Sequence, residues 1–211
     1  MKASDIITRA RDIIQDAGGH YWTADELMRW LADARADAYK LRPDLYEVTE
    51  DLPLVAGARQ KLPNGSRWLF EVVNNVSAPR RRSVTVADGK VLDRHRPSWR
   101  GQPGVAEIRH YLYDDRSPSQ FEVYPPARDG VVVAVSYAKP PAATIAADDE
   151  LVPEGEHGAS LTDFVLYRSF LKEADTVPAF FARATNHLTL FQGAMTGAIQ
   201  TKLATSPNAK A

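Results

Sequence analysis

Two stretches of the chain hold residue types that could do chemistry. The segment DDELVPEGEHG, residues 148–158, gathers five carboxylates and His157. Oxygen ligands of this kind suit calcium or magnesium. The spacing matches no EF-hand loop, however, and a solvated linker is the better reading. The second stretch is basic. PRRRS (79–83) and DRHRPSWR (93–100) place Arg80, Arg81, Arg82, Arg94, His95, Arg96 and Arg100 near one hairpin, with Trp99 among them. Arginines beside an aromatic can grip a nucleic-acid backbone and stack on a base. The plainer readings are strand-edge arginines that blunt aggregation and pair with Asp88 or Asp93, or a protein interface. We favour these, because the rest of the chain is not basic.

Other chemistry finds no support. The five histidines, His20, His95, His110, His157 and His187, form no HxxxH pair on a helix. Phosphate-cradling GxxxxGK[ST] and GxGxxG loops and the GxSxG elbow of serine hydrolases are missing. With no cysteine, disulfides, zinc–thiolate sites and thiol nucleophiles are excluded. The 27 acidic residues offer many carboxylate pairs. A hydrolase of cell-wall glycans would need two of them facing across a cleft, and that reading is the least supported. We expect no enzymatic activity, no metal and no cofactor.

Composition bounds the rest. A chain of 211 residues with 44 % hydrophobic residues can bury a core as one large domain or as a domain with an insertion. The net charge of -1, from 26 basic and 27 acidic residues, argues against a protein living mainly on nucleic-acid phosphates. No apolar run reaches the ~18 residues that a membrane span needs. The opening MKASDIITRARDII is amphipathic and unlike a secretory signal, so a soluble protein of a reducing compartment is expected.

The elements that must position these residues follow from periodicity. Ile6, Ile7, Ala10, Ile13, Ile14 and Ala17 share one face of a first helix, with Ser4 as N-cap and Gly18-Gly19 at its end. A second helix opens with the capping box Thr23 to Glu26, carries Leu27, Trp30, Leu31, Ala34, Ala38 and Leu41, and stops at Pro43. Trp22, Trp30 and Tyr39 belong in the core. From Val48 to Tyr137 the pattern is short strands and turns. VTEDLPLV and ARQKLP could pair around Ala56-Gly57. Asp88-Gly89 signals one hairpin, and Asp129-Gly130 joins QFEVYPP to VVVAVSYA in another. Helix resumes at Ser160, with Arg168 set in its apolar stripe, read as a snorkelling arginine or one ion-paired with an acid of the bundle. In a last helix Phe181, Ala184, Leu188, Phe191, Met195 and Ala198 form a long seam.

Neither terminal helix pair can bury its stripe alone. The expected fold is therefore α+β: a four-helix bundle formed by the N- and C-terminal helix pairs, with an inserted antiparallel β-rich module. The bundle takes residues 1–42 and 158–200, the β module 43–140, a linker 141–157, and a flexible or partner-docked tail 201–211.

This layout is familiar. It comprises the helix WLADARADAYKLRPDLY, the segment YLYDDRSPSQFEVYPPARDGVVVAVSYAKPP, and LTDFVLYRSFLKEAD followed by an Ala/Phe-rich helix. Together, over roughly residues 5 to 197, these resemble the head-to-tail adaptor proteins of tailed bacteriophages, including the tail tubular protein A type. The resemblance implies a structural virion protein at the head–tail interface, made in the host cytoplasm. It implies a ring, typically of twelve copies, that binds the portal protein on one side and tail or nozzle proteins on the other. Packaged DNA would pass through the lumen without sequence-specific binding, and no membrane is involved. The C-terminal segment would dock on the portal through Ile199, Lys202 and Leu203. Arg80, Arg81, Arg82, Arg94, Arg96, Trp99 and Arg100 would then face a neighbouring subunit, the tail or the DNA. The alternative reading is a nucleic-acid-binding module built on the arginine-rich hairpin 80–100.

Overall fold

The computed structural model describes residues 1–63, 65–151 and 154–205, the side chains of 198–205 excepted. Helices α1 (Ala3–Ile14) and α2 (Ala24–Leu41) come first. Four strands follow: β1 (Glu47–Pro53), β2 (Gly57–Lys61), β3 (Arg67–Asn75) and β4 (Thr85–Val86). A short helix α3 (Gly89–His95) precedes β5 (His110–Tyr113), β6 (Gln120–Ala127) and β7 (Val132–Ala138). Helices α4 (Gly158–Lys172) and α5 (Ala179–Thr205) complete this α+β chain. It divides into a helical unit, Met1–Leu45 with Pro141–Ala211, and a β unit, Tyr46–Pro140.

In the helical unit α4 packs against α1, α2 and α5. That position explains its composition: Leu161, Phe164, Val165, Leu166 and Phe170 are buried around most of its circumference. Ile6, Ile7 and Ala10 of α1, and Leu27, Trp30, Leu31, Ala34 and Ala38 of α2, supply the facing stripes. From α5 come Ala184, Phe191 and Met195, with Phe191 set edge-on to Phe164 at 5.1 Å. Phe181 is exposed, contrary to the expected seam, because Phe180 takes the inward position against Phe170. Helix α5 also runs on to Thr205, so the expected tail from 201 begins as helix, and its residues 206–211 lie outside the described residues.

The helix ends are closed by specific groups. Thr23 accepts from the Glu26 N–H, as its sequence position implies. Helix α1 starts at Ala3, not after Ser4, because its first N–H groups have partners elsewhere. Ala3 N–H donates to Asp149 C=O and Ser4 N–H to Ala147 C=O. Ile13 is exposed because α1 ends one residue later and turns off at Gln15, a left-handed residue with φ 58°. The buried carboxylate of Asp16 then accepts the N–H groups of His20, Tyr21 and Trp22 and fixes the turn into α2. At the far end of α2, the buried Arg42 forms a two-pronged ion pair with Asp44.

The segment read as a solvated linker is partly structured. Glu150 bridges to Lys2, Leu151 is buried, and Glu154–His157 forms a 3-10 turn. Glu154 is only 1 % exposed, and its Oε1 accepts from Arg35 Nε at 2.8 Å. A buried carboxylate needs such a partner, and this one lies 119 positions away in the chain.

In the β unit two sheets share one apolar core. One sheet has the order β1-β7-β3 and is antiparallel throughout. The other has the order β2-β6-β5-β4, with β4 and β5 parallel, so the module is not purely antiparallel. Val131, Val133, Val135 and Tyr137 point into the core together, as the period-2 pattern requires. All three expected hairpins are corrected. Strands β1 and β2 lie in different sheets. So do β6 and β7: Gly130, at φ 75°, carries the chain from one sheet to the other while its N–H donates to Leu54 C=O. Asp88-Gly89 begins α3, where Asp88 accepts from the Lys90 N–H as an N-cap.

Candidate functional site

The sequence-predicted basic residues fall on one excursion of the β unit, residues 80–100, between β3 and the approach to β5. Arg80, Arg81 and Arg82 occupy the loop after β3, and Arg81 is left-handed at φ 41°. Arg94 lies in the last turn of α3, Arg96 is its C-cap, and Trp99 and Arg100 form a 3-10 turn. Within this arm only Val84 and Trp99 are buried, and α3 buries nothing.

Besides the pairing of β4 with β5, two side-chain anchors hold the arm. At its start, Asn75 is fully buried, and its side-chain Nδ2 donates to the C=O groups of Arg82 and Ile108. Its Oδ1 accepts from Ile108 N–H. At its end, the Trp99 ring is fully buried, sits edge-on to Tyr124 at 5.6 Å, and donates Nε1–H to Asp93. Arg100 lies 4.4 Å over that ring and forms a two-pronged pair with Glu122, at 2.9 and 2.8 Å, and a third bond to Asp93 at 2.6 Å. Trp99 and then Arg100 hold the Asp93 carboxyl below the usual carboxylate range.

This geometry sorts the arginines. Arg100 is spent on folding the arm, and Arg82 has Glu107 at 3.4 Å. Arg80, Arg81, Arg94 and Arg96 are exposed and unpaired among the described residues. Trp99 is not available as a stacking platform for a base, because the arm folds over it. Sequence reading missed the two apolar residues standing among the free arginines: Val86 is 67 % and Val91 53 % exposed. Reading Asp88-Gly89 as a helix N-cap would have placed Val91 and Arg94 one turn apart on the same face of α3.

Beside α3 runs an open groove of about 930 Å³. Part of its charged lining is self-paired, as with Arg116 to Asp114 and Arg100 to Glu122. Among the described residues no group of three or more His, Cys, Asp or Glu is arranged to hold a metal ion. None of the described helices is long and apolar enough to cross a membrane. The arrangement offers contact surface and charge. Arg168, on α4, lies 3.9 Å from Asp33 of α2, the acid partner expected for it. Ile199, Lys202 and Leu203 lie on the last turns of α5, where side chains are outside the described residues.

No curated protein matches this sequence. The family model described as "SU10 adaptor protein" matches residues 1–211, the whole chain. The chain therefore belongs to the SU10 adaptor protein family, a family of structural head-to-tail adaptors of bacteriophages.

Proposed function

We propose that this protein is one copy of a virion ring that joins the portal to the tail around the DNA exit channel. The match of the family over residues 1–211 is the observation that carries the reading. On this reading α1, α2, α4 and α5 act as a four-helix bundle, and the last turns of α5, with Ile199, Lys202 and Leu203, dock on the portal protein. The β unit offers a second surface to neighbouring copies and to tail or nozzle proteins, in a ring of the tail tubular protein A type with about twelve subunits. The protein does no chemistry of its own. It is made in the host cytoplasm, and DNA passes through its lumen without sequence-specific contact. A strongly basic lumen would grip phosphates and slow ejection, so the free arginines of the arm belong elsewhere.

Mixing the purified protein with the portal ring of its own phage and imaging the product by electron cryomicroscopy tests this. The expected result is a ring of this protein seated on the portal, lost when Leu203→Asp and Lys202→Glu are combined. Absence of any portal binding, together with tight DNA binding that falls steeply with salt, would replace the adaptor reading with the nucleic-acid one.

A further inference from the structure

We propose that the arm of residues 80–100 docks on the α4–α5 elbow of a second copy of this chain. The proposal deepens the adaptor reading, which supplies the neighbouring copies, by naming the surfaces through which they meet.

The arm is folded onto the β unit and its exposed surface is mixed. The pairing of β4 with β5 and the anchors at Asn75 and Trp99 hold it in place, yet Val86 on β4 and Val91 on α3 face solvent in the same arm as unpaired Arg94 and Arg96. A surface meant only for phosphates needs cations, not two exposed valines among them. Apolar groups rimmed by arginine are instead the composition of a protein contact.

The elbow has the complementary composition. Where α4 ends and α5 begins, Leu171, Val177 and Phe181 are exposed, Phe181 at 61 %. Glu173 and Asp175 lie between them with no partner among the described residues. The neighbouring cations are occupied: Lys172 pairs with Glu26, and Arg183 lies over the rings of Phe170 and Phe180. The elbow is thus apolar with free acids, and the arm is apolar with free bases.

Charge over the whole chain points the same way. The β unit holds 14 basic and 11 acidic residues, a net of +3, and the helical unit 12 basic and 16 acidic, a net of -4. Two copies meeting β unit to helical unit attract, while like units repel. Such a head-to-tail contact is heterologous, and it closes into a ring when its rotation divides the circle evenly.

The lack of cysteine allows a clean test. One preparation carries Val91→Cys alone and another Phe181→Cys alone. The two are mixed, assembled on the portal ring, and bridged with a short bismaleimide. Linked dimers containing one chain of each kind are expected, with few from either preparation by itself. In parallel, Arg94→Glu with Arg96→Glu should weaken assembly by at least about tenfold. Adding Glu173→Arg and Asp175→Arg to the same chain should restore it, and unchanged thermal melts identify variants that remain folded. Rings that form on the portal without mixed cross-links would overturn the arm–elbow contact and leave the adaptor reading standing. Failure of both ring and cross-link would sink the adaptor reading as well. Salt-steep DNA binding abolished by Arg94→Glu and Arg96→Glu would reassign the arm to nucleic acid.

Discussion

The side-chain amide of Asn75 pairs with the backbone of Ile108 as a neighbouring strand would, accepting its N–H at 2.7 Å and donating to its C=O at 2.8 Å. The same amide holds Arg82 C=O at 3.0 Å. One buried side chain therefore ties Ile108 to the base of the arm, beside the backbone bonds from Asn75 N–H to Arg82 C=O and from Val84 N–H to Val73 C=O. Asn75→Ala would take these partners from the Ile108 N–H and C=O, while Arg82 C=O keeps the backbone N–H of residue 75, at a cost of about 2–4 kcal/mol. Urea denaturation reads that loss. Faster tryptic cleavage at Arg80–Arg82 should accompany it, because the base of the arm opens first.

Trp99 closes the other end of the arm. Trp99→Ala should cost about 3–5 kcal/mol, the range for emptying a large buried aromatic site. Trp99→Phe keeps most of the packing but removes the Nε1–H donor to Asp93 and should cost only about 1 kcal/mol. Equal losses for the two variants in thermal unfolding would show that the ring's volume contributes little.

The buried pair of Arg35 and Glu154 gives a double-mutant prediction. Glu154 Oε2 has no hydrogen-bond partner among the described residues, so the carboxylate depends heavily on Arg35. Arg35→Met strands that charge and should destabilise by about 3–5 kcal/mol. Adding Glu154→Leu should recover most of the loss, since an apolar pair of similar volume tolerates burial well. A double variant no more stable than Arg35→Met would refute this account.

Asp16 sets a pH dependence. Burial pushes its carboxyl up, but the N–H groups of Trp22, His20 and Tyr21 together outweigh burial and hold it below the ordinary carboxylate value. A lowered folded pKa means that its contribution is fully present above the unfolded carboxylate pKa and is lost as pH falls through the folded one. The melting temperature of the natural chain should therefore drop below about pH 4 more steeply than that of Asp16→Asn. Parallel curves for the two proteins would assign the acid sensitivity to other carboxylates.

How far the sequence alone could reach depended on how local each cause is. Helix α2 is legible because its cap, Thr23, and its stripe from Leu27 to Ala38 lie within one stretch. Strand β7 is legible because Val131, Val133, Val135 and Tyr137 alternate onto the shared core, although Ala134 and Ser136 of this central strand are buried too. The partner of a strand is another matter. Asp129-Gly130 signals a reversal, and the chain does reverse, but the turn residues carry no information about which sheet receives it. Asp88-Gly89 illustrates the same limit, since an aspartate serves a hairpin turn and a helix N-cap through similar backbone bonds. The arginine cluster was visible as composition. Its division into anchoring Arg100 and free Arg94 and Arg96 needed Glu122, which comes from a strand 22 positions later. Glu154 read as a solvated acid because nothing near it in sequence announces Arg35.

The first and last strands of the β unit are hydrogen-bonded neighbours, with Glu47 opposite Ala138 and Lys139 N–H on Tyr46 C=O. The two points at which the chain leaves and rejoins the helical unit are thus a few ångströms apart. To the helices, an excursion of about ninety residues looks like a short loop, with little closure entropy to recover. Exchanging that segment for a brief Gly-Ser bridge or for a different module starts from chain ends already within reach of one another. Each half can consequently acquire new partners at its own evolutionary pace.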